Sequence, residues 1–152
     1  MAQQLIKITK AGLEKRKRES DRLRDEKLPE ILARIEEARS KGDLSENFEY
    51  TTAKNDQREV EMRMEYLKNI LEHHQIIRSR DITIKFLATG RERVFHIVGT
   101  IDANTEEQQI SEDCPLVKAL KGRTPSDSEE ITYISESGKR VSILYLKDEE
   151  VE

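Results

Sequence analysis

The sequence predicts an α+β fold, with an N-terminal antiparallel α-helical coiled-coil hairpin followed by a small antiparallel β-sheet domain with one helix. Three observations support it. Apolar residues at helical spacing dominate the first half of the 152 residues, a glycine at position 42 interrupts that spacing, and short β-rich runs follow residue 80. We therefore expect one domain over residues 1–78 and a second over residues 79–152.

The first helix is predicted from about Lys10 to about Lys41, with Thr9 as its N-cap. Its later apolar positions are spaced 3, 4 and 3 residues apart: Leu28, Ile31, Ile35 and Ala38. Pro29 lies within this stretch and costs about 3 kcal/mol in a helix interior. We expect the helix to kink or restart there.

The second helix is predicted from about Leu44 to about Gln75. Its core-facing positions follow steps of 4 and 3 residues: Ala53, Gln57, Val60, Met64, Leu67, Leu71 and His74. Such alternation is typical of a coiled-coil seam, and Gly42 suits the end of the preceding helix. The two helices should pack antiparallel, with arms of roughly 30 residues and about 45 Å.

The second half of the chain has the pattern of a small sheet. Four strands are predicted, at residues 82–87, 93–99, 129–135 and 141–146. Ser137 and Gly138 suggest a hairpin turn, and the segment from Pro115 to Lys121 suggests one short helix with proline in its first turn. The acidic tail, Asp148 to Glu152, is expected to be solvated chain.

Composition limits the class of protein. Charged residues make up 38% and hydrophobic residues 35%, with a net charge of −4 and a mean hydropathy of −0.79. No apolar run reaches the roughly 20 residues that span a bilayer, and the first residues lack a secretory signal. Cys114 is the single cysteine, so an internal disulfide is excluded. A cytoplasmic monomer without membrane contact is expected, since the hairpin satisfies its own seam.

Two carboxylates lie in the link between the predicted helices. Asp43 and Glu46 are three residues apart, so a helix starting at residue 43 would place both on one side of its first turn. They could form a capping box, or they could hold a divalent cation. Mg²⁺ prefers six oxygen ligands, so two solvated carboxylates would bind it weakly without ligands from a second surface.

The residues around this pair resemble a known family. The stretch ARSKGDLSENFEYTTAKNDQ (38–57) is similar to the hairpin tip of the bacterial transcript cleavage factors GreA and GreB, whose usual pattern is A-R-x-x-G-D-L-x-E-N-A-E-Y. FHIVG (95–99) and ISEDCPLVKALKG (110–122) are similar to segments of that family's C-terminal domain. The resemblance implies that residues 79–152 form an FKBP-like domain.

The resemblance also implies a function. Members of the family bind bacterial RNA polymerase, dock at the rim of its secondary channel and bring the hairpin tip to its active site. There they stimulate the polymerase to cleave backtracked RNA near its 3′ end, without being enzymes themselves. By residue match, Asp43 and Glu46 would act as the catalytic pair, helping to hold a second Mg²⁺ jointly with the polymerase.

Further residues match positions that the family uses. Lys54, with Arg58 one turn later, would lie near RNA, although an exposed charge on a solvated helix is an equal alternative. The resemblance assigns tip support to Arg39, Asn47 and Tyr50, and polymerase docking to Asp113 and Pro115. Packing against the first helix is the preferred interpretation of Tyr50, and Pro115 could simply start a helix.

The chain also departs from the family pattern. Phe48 replaces the usual alanine beside the acidic pair, and Cys114 replaces the usual serine. Two alternatives to cleavage stimulation therefore stay open. One is a related factor that enters the same channel and inhibits or modulates the polymerase. The other is a coiled-coil adaptor whose acidic tip residues only cap a helix.

Overall fold

A computed structural model describes residues 4–43 and 47–151 of the chain. Its contacts divide the chain into two units, Leu13–His73 and Met1–Gly12 with His74–Glu152. We call the first the hairpin unit and the second the sheet unit. The predicted boundary between residues 78 and 79 differs from this division, because the residues before Leu13 group with the second half of the chain.

The first arm of the hairpin is helical but not continuous. It consists of helix α1 at Lys10–Arg22, one π-helical turn at Leu23–Lys27 and helix α2 at Leu28–Ser40. The Thr9 hydroxyl oxygen accepts a hydrogen bond from the Gly12 backbone N–H at 3.1 Å. That bond confirms the predicted N-cap.

The π-helical turn lies immediately before Pro29. Its last bond joins the Leu28 N–H to the Leu23 carbonyl, five residues earlier rather than four. A proline lacks an N–H and clashes with the carbonyl four residues before it, so a wider turn relieves the conflict. The predicted irregularity near Pro29 is present as a π-helical turn, but the arm does not restart there, because Lys27 and Leu28 keep helical backbone angles.

Helix α3 at Phe48–Glu72 forms the second arm. It begins later than predicted because Asn47 is its N-cap, and it ends earlier because His74 starts a strand. The predicted seam is confirmed as far as Leu67: Ala53 and Leu67 are buried, and Gln57, Val60 and Met64 are half-buried. Beyond it, Ile70 is buried while the predicted Leu71 is half-buried, and the predicted His74 lies outside the helix. The facing positions Ile31, Ile35 and Ala38 of α2 are buried as well.

The sheet unit begins with a small parallel sheet that the sequence analysis missed. Strand β1 at Ile6–Thr9 pairs with strand β2 at His74–Ile77. Gly99 passes directly against β1, since a Cβ at this position would lie 2.3 Å from the Lys7 carbonyl oxygen. Only glycine allows that approach, which explains the residue that ends the FHIVG segment.

The main sheet has five strands in the order β5-β4-β3-β7-β6. They are β3 at Ser79–Phe86, β4 at Glu92–Val98, β5 at Gln109–Ser111, β6 at Ser126–Ile134 and β7 at Arg140–Val151. All neighbours are antiparallel except β4 and β5, which are parallel. Gly138, at φ +82°, lies in the predicted turn between β6 and β7.

One helix packs on this sheet, as predicted. Helix α4 at Pro115–Leu120 buries three apolar residues: Leu116, Val117 and Leu120. They pack with six buried residues of the strands: Ile82, Ile84, Ile97, Ile131, Ile143 and Tyr145. The α+β architecture is therefore confirmed. No helix in the described part of the chain has the length and apolarity needed to cross a membrane.

The acidic tail is exposed, as expected, but it forms a strand rather than irregular chain. Strand β7 continues to Val151, and its acidic end pairs with β3. The Arg80 guanidinium donates to Asp148, with Nε 2.9 Å from Oδ1, and Arg78 pairs with Glu150 at 2.8 Å. These arginines compensate the acidic side chains, so a charged segment forms a regular strand.

Candidate functional site

The candidate site lies in the turn between α2 and α3. Helix α2 ends at Ser40, and Gly42 follows with a φ of +112°. The Lys41 N–H bonds the Ala38 carbonyl at 3.2 Å, and the Gly42 N–H bonds the Arg39 carbonyl at 3.4 Å. This arrangement confirms the predicted helix-ending glycine, because a residue with a side chain would be strained at that φ.

Asn47 ties the two helices together at this turn. Its side-chain oxygen accepts from the Tyr50 N–H at 3.1 Å, which caps α3. Its side-chain nitrogen donates to the Ala38 carbonyl of α2 at 2.7 Å. Asn47 rather than Asp43 is therefore the N-cap of α3, and the capping box of Asp43 with Glu46 stays a prediction because Glu46 lies outside the described residues. Asn47 also fixes the spacing of the two helix ends.

Asp43 is exposed and follows Gly42 directly. It lies outside both helices, between the end of α2 and the start of α3. Glu46, the second carboxylate of the predicted pair, lies outside the described residues. The close approach of Asp43 and Glu46 therefore stays a prediction.

Two ion pairs flank the turn. The Lys41 ammonium lies 2.7 Å from the Glu49 carboxylate, joining the end of α2 to the first turn of α3. The hydrogen bond to Glu49 raises the pKa of Lys41, so its positive charge is retained. Arg39 lies 4.0 Å from Glu36 of its own helix. The Lys41–Glu49 pair was not predicted, although opposite charges on both sides of the link were visible in the sequence.

The two aromatic residues at the start of α3 have opposite environments. Tyr50 is half-buried and packs against the cluster of Ile31, Ile35 and Ala53, which confirms the packing interpretation. Phe48 is 86% exposed, so its ring is left in solvent beside the turn. The chain therefore presents an exposed aromatic ring at the first residue of α3, at a position where the family pattern has alanine.

The predicted RNA-proximal residues lie on the exposed side of α3. Lys54 donates to the Gln57 side-chain oxygen at 3.2 Å, within the same helix. Arg58 is exposed and forms no ion pair with any residue that the structure describes. A four-residue spacing places both cations on one face of the helix. Their contact with RNA stays a prediction.

Asp113 and Pro115, the predicted docking residues, lie in the sheet unit. The Asp113 carboxylate accepts from the Thr100 hydroxyl at 3.5 Å, and the Asp113 N–H donates to the Ser111 hydroxyl at 3.0 Å. Pro115 is the first residue of α4, in agreement with the helix-start interpretation. Burial raises the pKa of the neighbouring Cys114 thiol, which favours its protonated form at neutral pH.

The described residues do not build a complete metal site. Among residues 4–43 and 47–151, no three side chains of histidine, cysteine, aspartate or glutamate cluster as metal ligands. The turn offers Asp43 as an exposed oxygen donor on a backbone fixed by Gly42 and Asn47. Chemically, such a turn can contribute carboxylate oxygens to a cation whose other ligands belong to a partner.

Two family models match this chain. The model described as transcription elongation factor, N-terminal, matches residues 6–76. The model described as transcription elongation factor, GreA/GreB, C-term, matches residues 72–148. Together they cover the helical hairpin and the sheet, in the order that the resemblance implies.

Two sequence relatives agree with these matches. A protein named transcription elongation factor GreA, from Acholeplasma laidlawii, is 32% identical, with 93% of this chain and 96% of its own covered. One of the same name from Thermotoga neapolitana is 39% identical, covering 80% and 85%. A solved structure of GreA factor homolog 1 of Thermus thermophilus covers 96% of this chain and 99% of its own, at 20% identity and a TM-score of 0.44. From the family models and these relatives, the chain belongs to the GreA/GreB family of transcription elongation factors.

Proposed function

We propose that this elongation factor binds bacterial RNA polymerase, enters its secondary channel and stimulates the polymerase's own cleavage of backtracked RNA. The observation that supports the proposal most directly is the exposed carboxylate of Asp43 in the turn of an antiparallel helical hairpin. The same turn contains the sequence GDLSEN, which matches the family's tip. The factor itself would not be an enzyme.

The chemistry of the donor set fits a shared Mg²⁺. Asp43 and Glu46 would supply two carboxylates, which are ligands that Mg²⁺ accepts, and the polymerase would supply the rest. When bound, the metal supplies an activated water and stabilises negative charge on the phosphate. What the chain adds is placement, because Gly42 precedes Asp43 with a left-handed backbone and Asn47 ties the start of α3 to the end of α2.

Other residues would assist by position and charge. Lys54 and Arg58 would attract the RNA phosphates without reading sequence, from one face of α3. Arg39, Asn47 and Tyr50 would support the tip, Asn47 through its bond to α2 and Tyr50 through packing. Asp113 and Pro115 would contact the rim of the channel.

The experiment is RNA cleavage in stalled, backtracked bacterial elongation complexes. We expect wild type to stimulate cleavage, and the double variant Asp43→Asn/Glu46→Gln to lose about 100-fold or more, since metal-assisted charge stabilisation is worth several kcal/mol. The matched control is Glu59→Gln, which removes an exposed carboxylate farther along α3 and should behave as wild type. Competition for polymerase should show that all variants still bind.

Exposure of Phe48 favours a second candidate, a factor that occupies the channel and inhibits the polymerase. A bulky ring beside the acidic turn could hold the carboxylates away from the reacting phosphate. In that case wild type binds polymerase without stimulating cleavage, and Phe48→Ala restores stimulation. Failure to bind polymerase at all would favour the adaptor.

A further inference from the structure

A groove of about 710 Å³ lies in the sheet unit, where the β3–β4 loop meets the start of β7. We call it the basic groove. Its apolar floor is formed by Phe86, Leu87 and Val141. Its cationic rim consists of Arg91, Arg93, Lys139 and Arg140. Asp113 and Pro115, the predicted docking residues of the same unit, are not among the described residues that line it.

The floor of the basic groove is an uncovered end of the hydrophobic core. Helix α4 has six residues, about 9 Å of helix, whereas β7 has twelve residues and extends well beyond it. Phe86 and Val141 pack against the core yet stay only partly buried, and Leu87 is 39% exposed. A short helix therefore leaves an apolar strip that a partner could cover.

The groove is preformed. The Phe86 ring packs edge-on against Phe95, with 6.2 Å between ring centroids. Backbone bonds close the adjoining loop: the Phe86 N–H donates to the Arg91 carbonyl at 2.9 Å, and the Leu87 N–H donates to the Ser142 carbonyl at 3.1 Å. Because the groove is already ordered, a ligand would cost it little conformational entropy on binding, as is typical of preformed binding surfaces.

The charge of the rim is unbalanced. All four rim cations are exposed, and none forms an ion pair within the part of the chain that the structure describes. Three other arginines of the sheet unit do pair with carboxylates: Arg78, Arg80 and Arg123. Strand alternation directs Glu92 to the face opposite Arg93. In a chain of net charge −4, this local excess of positive charge is complementary to an acidic partner.

We propose that the basic groove binds an acidic segment of a partner protein, one that also inserts an aliphatic side chain against Leu87 and Val141. An aliphatic floor favours a peptide over nucleic acid, because single strands bind through exposed aromatic faces and Phe86 is engaged with Phe95. A second copy of this chain is a poor partner, since its acidic strand end already pairs with Arg78 and Arg80. The groove extends the protein's contacts beyond the proposed polymerase surface.

The test is nuclear magnetic resonance of the isotope-labelled full chain, titrated with a synthetic peptide of repeated Glu-Glu-Leu units. We expect amide shifts confined to residues 86–93 and 139–142. The double variant Arg91→Glu/Arg93→Glu should weaken binding about 10-fold or more, and Arg123→Glu should leave it unchanged. A peptide of Gln-Gln-Leu units should bind more weakly because it lacks the carboxylates. A peptide of Glu-Glu-Ser units should bind more weakly because it lacks the aliphatic side chain.

Four results would overturn the proposal. The first is the absence of amide shifts at millimolar peptide, and the second is that the Gln-Gln-Leu peptide binds as tightly as the Glu-Glu-Leu peptide. The third is that oligouridylate binds more tightly than the Glu-Glu-Leu peptide at the same amides, and the fourth is that Arg91→Glu/Arg93→Glu weakens polymerase binding as much as it weakens peptide binding. The last result would make the groove part of polymerase docking. RNA cleavage assays of Arg91→Glu/Arg93→Glu distinguish the two proposals. If this variant still stimulates cleavage, the proposed function holds whatever the peptide titration shows for the groove.

Discussion

The turn between α2 and α3 and the sheet unit are stabilised in different ways. Near the turn, the buried cluster has three members: Ile31, Ile35 and Ala53. The contacts beyond that cluster are a cap, a bond between helix ends and exposed ion pairs. The sheet unit has nine buried residues in one cluster, drawn from four strands and α4.

This difference separates presentation of the site from folding of the chain. Polar contacts at a solvated turn are worth about 1 kcal/mol or less each, whereas a buried aliphatic side chain is worth several. Changes at the turn should therefore alter how Asp43 is presented while the sheet unit stays folded. Changes in the sheet core should instead destabilise the sheet unit and leave the presentation of Asp43 unchanged.

The largest effect is expected from Ile143→Ala. Ile143 is fully buried in the sheet core, and removing its methyl and methylene groups leaves a cavity that strands on both sides cannot fill. We expect a loss of about 4 kcal/mol in the free energy of unfolding of the sheet unit. Hydrogen exchange of sheet amides would measure the loss separately from the helices.

The matched change in the hairpin unit is Ile31→Ala, at an equally buried position in the smaller cluster. A smaller loss, about 2–3 kcal/mol, is expected because two helices can close on the cavity more readily than a sheet can. Equal losses in both units would show that the two cores are equally rigid and would remove the contrast.

The next effect is expected from Asp148→Asn, which breaks the Arg80–Asp148–Tyr145 network. The Arg80 guanidinium lowers the pKa of Asp148, so this stabilisation is present at neutral pH and is lost as pH falls below about 4. Burial and then the bond to Asp148 raise the pKa of Tyr145 to about 12, so it stays protonated over this range.

We expect Asp148→Asn to lower the free energy of unfolding by about 2 kcal/mol at pH 7. In strong acid its free energy of unfolding should approach that of wild type. Chemical denaturation at several pH values would measure both. The comparison variant is Glu19→Gln, which removes the exposed Glu19–Arg63 pair of the hairpin and should cost under about 1 kcal/mol. A difference between Asp148→Asn and wild type that persists at low pH would contradict the assignment to the carboxylate charge.

A smaller loss, about 1 kcal/mol, is expected from Asn47→Ala. It removes the cap of α3 and the bond to the Ala38 carbonyl together. Asn47→Asp keeps an oxygen for the cap but removes the donor, so the two variants separate the roles. Amide exchange in the first turn of α3 should rise in Asn47→Ala and much less in Asn47→Asp.

The smallest effect on folding is expected from Phe48→Ala. The ring is 86% exposed, so its removal should change the free energy of unfolding by less than about 0.5 kcal/mol. Thermal melts of the two proteins should superimpose. A loss above 1 kcal/mol would mean that the ring packs on the hairpin in solution, contrary to the structure.

Local signals predicted the hairpin well. Seam residues such as Leu67 follow from apolar spacing, and Thr9 and Gly42 follow from the requirements of helix ends. The start of α3 was misplaced because Asp43 and Asn47 are equally good caps, so tertiary contact decides between them. That contact is the bond from Asn47 to α2, which only the folded hairpin brings within reach.

Pairing between distant segments could not be read from the sequence. Strands β1 and β2 have four residues each and pair across the whole hairpin, so neither has a local signal. The acidic end of β7 resembles solvated chain until the register places Arg80 opposite Glu150, beside Asp148. At the candidate site, the sequence motif identified Asp43. The Lys41–Glu49 ion pair could be recognised only from the structure, where the ends of α2 and α3 lie close together.

The π-helical turn at Leu23–Lys27 has a consequence for length variation in the first arm. A turn closed by a bond spanning five residues holds one residue more than an α-helical turn, so it behaves as a single-residue insertion absorbed in place. Homologues of this arm could therefore differ by one residue at this point while Ile31, Ile35 and Ala38 keep facing α3. An insertion anywhere in α2 would instead rotate that stripe by about 100° and expose it.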